Sequence, residues 1–266
     1  MRERSILMNT QKYPAFAAGH DLEKIVGFLK DWFAKNGPAA KAVVGLSGGK
    51  DSTVAAALCV QALGKERVVG VLMPNGVQAD IADAQAAARH LGIAYRTVNI
   101  GKPYQEMLQE LTNVTGDDGQ DFAVNLTPAL QQNLAPRLRM AVLYAAAQGI
   151  AEGGRVINTC NRSEDYVGYS TKYGDSAGDV APLAAYTVDE VIAIGDALGL
   201  PHELVHKTPA DGLCGKSDED NLGFTYAVLD RYIKTGHCDD EAVQSRIEHL
   251  HRCNLHKLRP LPMVER

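Results

Sequence analysis

Nowhere in the 266 residues is there a run of the ~18–20 apolar residues that a membrane helix requires. The opening stretch, MRERSILMNTQKYPAF, has no hydrophobic signal core. No two of the five cysteines (Cys59, Cys160, Cys214, Cys238, Cys253) form a C-x-x-C pair, which excludes a zinc knuckle or a dithiol redox motif. Reduced thiols in a cytoplasmic protein are the expectation. An excess of positive charge is also missing. Twenty-seven Lys and Arg against 32 Asp and Glu leave a net charge of −5, unlike the basic stripe of a chain that wraps nucleic acid. Internal repeats, low-complexity tracts and Pro- or Ser-rich linkers are absent, so residues 1–266 read as one domain. What is present, 45% hydrophobic and 22% charged residues, suits a globular chain with a sizeable core.

The apolar residues alternate between two periods. Leu22, Ile25, Val26, Leu29, Trp32 and Phe33 recur at helical spacing over 21–36, with Asp21 as the expected N-cap and Gly37-Pro38 as the stop. Short strand-like runs follow at 41–46 (KAVVGL), 67–73 (RVVGVLM), 94–100 (AYRTVNI) and 155–160 (RVINTC). Helical segments separate them: the Ala- and Leu-rich stretch after residue 50, 79–92, and a long helix from Thr127-Pro128 to about Gln148. Thr187 with Glu190 forms a capping box for a helix ending at Gly199, and 217–252 reads as helical. TGDDGQD (115–121) reads as a loop, and 161–179 has no clean period. Strand–loop–helix repetition predicts an α/β fold, a mostly parallel doubly wound sheet with helices on both faces. Ligands of such sheets gather at the carboxyl ends of the strands.

The loop at 42–52, AVVGLSGGKDS, lies at such an end. It is no Walker A loop, because Val44 stands where the first Gly should be and Asp51 where Ser or Thr should follow the lysine. Ser47-Gly48-Gly49 lets backbone N–H groups face one anion at the start of a helix, whose dipole favours it. Gly45 precedes this turn, and the Ser47 and Ser52 hydroxyls add donors for phosphate oxygens. A carboxylate at Asp51 would repel phosphate unless Mg²⁺ lay between them, since that ion shares hard oxygen ligands with a triphosphate.

The string S-G-G-x-D-S, with the loop over 45–53, resembles the pyrophosphate-binding loop of the N-type ATP pyrophosphatases, whose Rossmann-like fold is of the adenine nucleotide alpha hydrolase type. Further strings are similar to the NAD synthetase family within it: TCNRSEDYVGYSTKYGDSAGD (159–179), KTPADGLCGKSDEDNLGFTYAVLD (207–230), PNGVQADIADAQ after the second strand and N-x-x-x-R-x-R-M at 133–140. The resemblance runs over nearly the whole chain. It implies a ligase that adenylates the nicotinate carboxylate of deamido-NAD⁺ with ATP, releases pyrophosphate, and then forms NAD⁺ with ammonia. It implies Mg²⁺ on Asp51 and Glu164, and ATP on the loop, including Lys50, with Gln78 and Thr159 near ribose and adenine. Lys172 is implied near the phosphates and Asp175 at the nicotinate end. Lys216 is implied in a second loop (207–220), mobile in the empty enzyme, that closes over ATP. Asn133, Arg137 and Tyr144 share a helix face, and the family places that face at a two-fold dimer interface on deamido-NAD⁺. His256-Lys257 resembles a basic pair reaching the neighbouring subunit's substrate.

One position departs from the pattern. Many relatives carry Lys where this chain has Val188, so Lys172 and Lys216 are expected to share the phosphate charge. Only about 40 residues precede the sheet, too few for a glutamine-hydrolysing domain, so free ammonia is the expected donor. Two other readings fit the loop alone. A tRNA-modifying ATP pyrophosphatase would carry basic regions and paired cysteines, and an adenine-nucleotide sensor would not need Glu164 or the TKYGD and GKSDED strings.

Overall fold

A computed structural model of the chain describes residues 13–78, 81–112, 124–206 and 218–264. Lys216 and most of the 207–220 loop, the 115–121 loop and Cys214 therefore lie outside the described residues. The elements are α1 (Ala18–Asn36), β1 (Lys41–Gly45), α2 (Lys50–Leu63), β2 (Val68–Leu72), α3 (Ile81–His90), β3 (Ala94–Thr97), α4 (Gly101–Thr112), α5 (Pro128–Gln148), β4 (Gly154–Ile157), α6 (Arg162–Val167), α7 (Val188–Ala197), α8 (His202–Val205), α9 (Asp218–Leu222), α10 (Tyr226–Thr235) and α11 (Glu241–Leu258).

The four strands pair in the order β3-β2-β1-β4, all parallel. Side chains of a strand alternate between faces, and each face has its own core. Ala42, Val44, Val68, Leu72 and Ile157 pack with residues of α1, α2, α3 and α7. Val43, Val71, Met73 and Val156 pack against α5, with Val98, Tyr104 and Ile100 beside them. A third cluster, containing Val167, Val188, Leu222, Phe224, Leu229 and Ile247, joins α6, α7, α9, α10 and α11. Both faces are thus covered, the doubly wound arrangement the sequence predicts. Among the described residues, no helix is long and apolar enough to cross a membrane.

Four local expectations change. Asp21 is not the N-cap of α1. The helix starts a turn earlier, capped at Ala17, and Asp21 is buried in its first turn, accepting from the Ala17 N–H and the Tyr186 hydroxyl. The segment 161–179 contains a short helix, α6. Residues 217–252 are not continuous, because Gly223 and Gly236, both at positive φ, end α9 and α10. The last helix then runs on past residue 252 to Leu258, so His256 and Lys257 are helical.

Candidate active site

The loop after β1 holds its shape through its own hydroxyls. The Ser52 Oγ donates to the Gly49 carbonyl (3.1 Å) and accepts from the Ser47 N–H (3.3 Å). The Ser47 Oγ accepts from the Gly49 N–H (3.2 Å) and lies 3.1 Å from the Ser52 Oγ. Gly48 sits at φ 84°, in the left-handed region where only glycine is unstrained. Gly49 is then the N-cap of α2, which aims the first turn of a 14-residue helix into the cleft.

Asp51 and Glu164 are far apart in sequence and are joined through Asn161. Asn161 caps α6, its Oδ1 accepting from the Glu164 N–H (3.0 Å) while the Glu164 Oε2 accepts from the Asn161 N–H (3.4 Å). This reciprocal box fixes the amide, and its Nδ2 donates to the Asp51 Oδ1 (3.0 Å). The electrostatics reflect crowding. Burial, and then the charge of Asp51, hold the Glu164 carboxyl well above the ordinary carboxylate range. Lys50 is buried at 5% exposure, with its Nζ 2.9 Å from the Asp51 Oδ2 and 5.8 Å from the centre of the Tyr226 ring. Burial alone would lower the lysine's pKa, but Asp51, Glu164 and Asp218 together raise it. Burial also pushes the Tyr226 phenol up.

These groups line one end of a cleft of about 690 Å³ that runs along the carboxyl ends of β1, β2 and β4. Gly45, Ser47, Gly49, Lys50, Asp51, Ser52, Gln78, Thr159 and Glu164 all line it, so the sequence-predicted ATP residues that are described converge, apart from Gly48 in the turn behind. At the other end stand Asn133, Asp175 and Lys257. The Asp175 Oδ1 accepts from the Thr171 N–H (2.8 Å), and the Asn133 Oδ1 accepts from the Thr171 Oγ1 (2.7 Å). The Lys257 Nζ donates to the Gly168 and Ser170 carbonyls of its own chain (2.7 and 2.9 Å). Burial lowers its pKa, opposed by Asp175.

Four predicted residues stand outside this cleft. The Lys172 Nζ donates to the His256 carbonyl (3.0 Å) at the C-terminal end of α11, and the Arg137 Nε donates to the Lys172 carbonyl (3.4 Å). The Tyr144 hydroxyl donates to the Asp179 Oδ1 (3.5 Å). The wall that α5 presents to the cleft is Gln132, Asn133, Pro136, Arg139, Met140 and Leu143, so of the face shared by Asn133, Arg137 and Tyr144 only Asn133 reaches the cleft, the other two lying roughly a quarter of a helical revolution away. Arg139, two residues beyond Arg137 in the same string, is thus the arginine that lines the cleft, and its Nε donates to the Met73 carbonyl (3.0 Å). Sequence reasoning also passed over Asn161, Asp218 and Tyr226. The pattern N-x-x-E at 161–164 was the signal for the first. Val188 is buried with Leu222, Phe224 and Tyr226, away from the cleft, so the described lysines that line it are Lys50 and Lys257.

A Gly-rich turn feeding a helix N-terminus, with two acidic side chains converging beside it at the carboxyl edge of a parallel sheet, defines an α/β nucleotide-binding protein of the ATP pyrophosphatase type. A family profile described as NAD synthase matches residues 21–261. The NH(3)-dependent NAD(+) synthetase of Carboxydothermus hydrogenoformans is 36% identical over 246 residues, 91% of this chain and 96% of that protein. Among solved structures, NMN synthetase from Francisella tularensis matches with a TM-score of 0.82 at 32% identity, covering 94% of this chain and 99% of that one. NAD⁺ synthetase from Burkholderia pseudomallei matches with a TM-score of 0.74 at 30% identity, covering 97% and 96%. The chain belongs to the NAD synthase family.

Proposed function

We propose that this enzyme converts deamido-NAD⁺ to NAD⁺, consuming ATP and free ammonia. A nicotinate carboxylate oxygen attacks the α-phosphorus of ATP, the bond to the β-phosphate breaks, and pyrophosphate leaves. The nitrogen of ammonia then attacks the acyl carbon, AMP leaves with the bonding electrons, and one proton passes to the medium. The observation that carries this reading is the Asn161 bridge, which brings Asp51 and Glu164 together beside the anion-binding turn.

Two carboxylates with no third acidic, thiol or imidazole ligand among the described residues fit Mg²⁺, which uses one or two carboxylates and completes its shell with phosphate oxygens and water. When bound there, the ion supplies charge neutralisation to the triphosphate. The chain's own groups do the rest. The loop amides and the Ser47 and Ser52 hydroxyls orient the leaving pyrophosphate, while Gln78 and Thr159 position the nucleoside. Asn133 and Lys257 hold the acceptor. Asp175 takes the proton of an arriving ammonium, and the cleft walls exclude water from the adenylate. Lys172, Arg137, Tyr144 and His256 act from the rim, and Lys216 adds a positive charge for the phosphates. The half-buried apolar face of α4 and α5 supports a homodimer, the free thiols Cys59, Cys160 and Cys238 suit the reducing cytoplasm, and the whole of 1–266 works as one synthetase domain.

A second acceptor is supported by the likeness to NMN synthetase, namely nicotinate mononucleotide, which carries the same reactive carboxylate. One experiment separates the readings. Pyrophosphate release and product are followed with ATP, Mg²⁺ and either acid, using ammonium chloride or glutamine as donor. NAD⁺ formation from deamido-NAD⁺ with ammonium alone, at the higher kcat/KM, is expected. A higher kcat/KM for the mononucleotide reassigns the acceptor. No release with either acid sinks the proposal and makes tRNA the next acceptor to test.

A further inference from the structure

Lysine is almost never buried unless paired, and Lys50 is buried where Asp51 and Glu164, the two carboxylates assigned to the metal above, meet. Neighbours in a helix do not normally face one another. Yet the Lys50 side chain folds across the first turn of α2 to place its Nζ 2.9 Å from the Oδ2 of the adjoining Asp51. The other Asp51 oxygen is already taken by the Asn161 amide. Each Asp51 oxygen thus carries a donor, the amide on Oδ1 and the ammonium on Oδ2, before any cation arrives. The Tyr226 ring face lies 5.8 Å away, and the lysine also borders the open cleft. It also neutralises a site where the Asn161 bridge forces Asp51 and Glu164 together.

Building on the metal placement proposed above, we infer that Lys50 is the resident cation of the two-carboxylate site. In the empty enzyme it holds Asp51 in place of a divalent ion. When nucleotide enters with its metal, Lys50 releases the Asp51 Oδ2 and transfers its ammonium to a phosphate oxygen on the loop it belongs to. The anion site at the start of α2 lies within reach of its four-carbon stem. Metal alone would have to expel the ammonium with no new partner, whereas metal and triphosphate arriving together give it one. Lys50 thereby couples metal binding to nucleotide binding.

The test is Mn²⁺ binding, followed by the loss of free-ion EPR signal, with and without a non-hydrolysable ATP analogue. It compares the intact enzyme with Lys50→Met and Lys50→Arg, each checked for folding by circular dichroism. The intact enzyme is expected to bind Mn²⁺ weakly until the analogue is added. Lys50→Met is expected to bind Mn²⁺ alone at least ~10-fold more tightly, and to lose a matching share of the tightening caused by the analogue. Lys50→Arg should resemble the intact enzyme. Unchanged or weaker binding of Mn²⁺ alone by Lys50→Met overturns the inference. Asp51→Asn distinguishes the two failures. If it leaves Mn²⁺ binding in the presence of the analogue intact, the metal placement itself is wrong. If it abolishes that binding while Lys50→Met changes nothing, only the role of Lys50 falls.

Discussion

Asn161 makes two kinds of bond at once, and its substitution should show both. Replacing it with Ala removes the cap of α6, worth about 1 kcal/mol, and frees the Asp51 Oδ1 to swing out of line. Asp51→Asn and Glu164→Gln remove a charge instead. Each is expected to lower kcat for pyrophosphate release by ~10²-fold or more; Glu164→Gln changes urea stability little, whereas Asp51→Asn, which takes the partner from the buried Lys50 ammonium, and Asn161→Ala lower stability as well. A kcat in Asp51→Asn and Glu164→Gln equal to that of the intact enzyme would contradict the assignment. A second carboxyl, Asp230, gives a pH test that does not depend on the reaction. It is buried, accepting from the Ser163 Oγ and the Asp189 N–H, and burial pushes its pKa from 3.8 up to about 6 despite those bonds. Because the folded state holds this proton more tightly than the unfolded chain, stability attributable to Asp230 is full below pH 3.8 and is lost as pH rises through about 6. The stability of the intact protein minus that of Asp230→Asn should therefore fall between pH 4 and 7, by up to about 3 kcal/mol. A flat difference would show that the carboxyl ionises freely. At this scale the site was legible wherever chemistry constrains residue type, as in the loop and at Glu164. It was not legible where helix phase decides, because Arg137 and Arg139 are the same residue type on either side of a boundary that only packing sets.

Between elements, the tightest approach near the site is α11 against the end of α6. Gly168 ends α6 at φ 65°, and a Cβ built there would lie 2.1 Å from the Asn254 Cβ. Asn254 is held in place, its Nδ2 donating to the Val167 and Leu250 carbonyls. The Gly168 carbonyl also receives Lys257, one turn further along α11. Gly168→Ala combines the left-handed cost of a side chain, about 1 kcal/mol, with overpacking of about 1–3 kcal/mol. It should lower urea stability by about 2–4 kcal/mol and shift Lys257 away from the cleft. A loss below about 1 kcal/mol would mean that α11 is free to move. Elements with strong local signals were readable in advance: Thr127-Pro128 opens α5, and Glu190 reaches back to the Thr187 N–H (3.0 Å) as its spacing predicts. The division of 217–252 into three helices was missed, because helical periodicity continues across Gly223 and Gly236 and only their positive φ reveals the breaks.

For the whole molecule, β1, β2 and β4 could be read from apolar runs, since a strand buried on both faces leaves such a signature, whereas the edge strand β3 is exposed along its length and its run, AYRTVNI, only alternates. How the molecule presents itself to a second copy leaves a weaker trace. α2 buries nine of its 14 residues, yet α5 buries only Ala135 and Ala147 of its 21. Leu130, Leu134, Leu138 and Val142 of α5 remain half-buried, and the 12-residue α4 beside it buries none. If that half-covered face meets a second copy, the contact runs along α4 and α5. Ala141 and Ala145 are exposed a turn apart on the outer side of α5, and their small side chains allow another helix to come close. Ala141→Arg places a long charged side chain at that contact without touching either core. It is expected to convert a dimer, seen by sedimentation velocity at micromolar concentration, into a monomer with unchanged circular dichroism. If Asn133, Arg137 and Tyr144 meet the acceptor where two copies join, the same variant raises KM for deamido-NAD⁺ several-fold while KM for ATP, whose loop lies on the far side of the cleft, stays as it was. Were the intact protein to sediment as a monomer across that range, α5 would be an ordinary solvent-facing helix, and its rim residues would have to reach the acceptor within one chain.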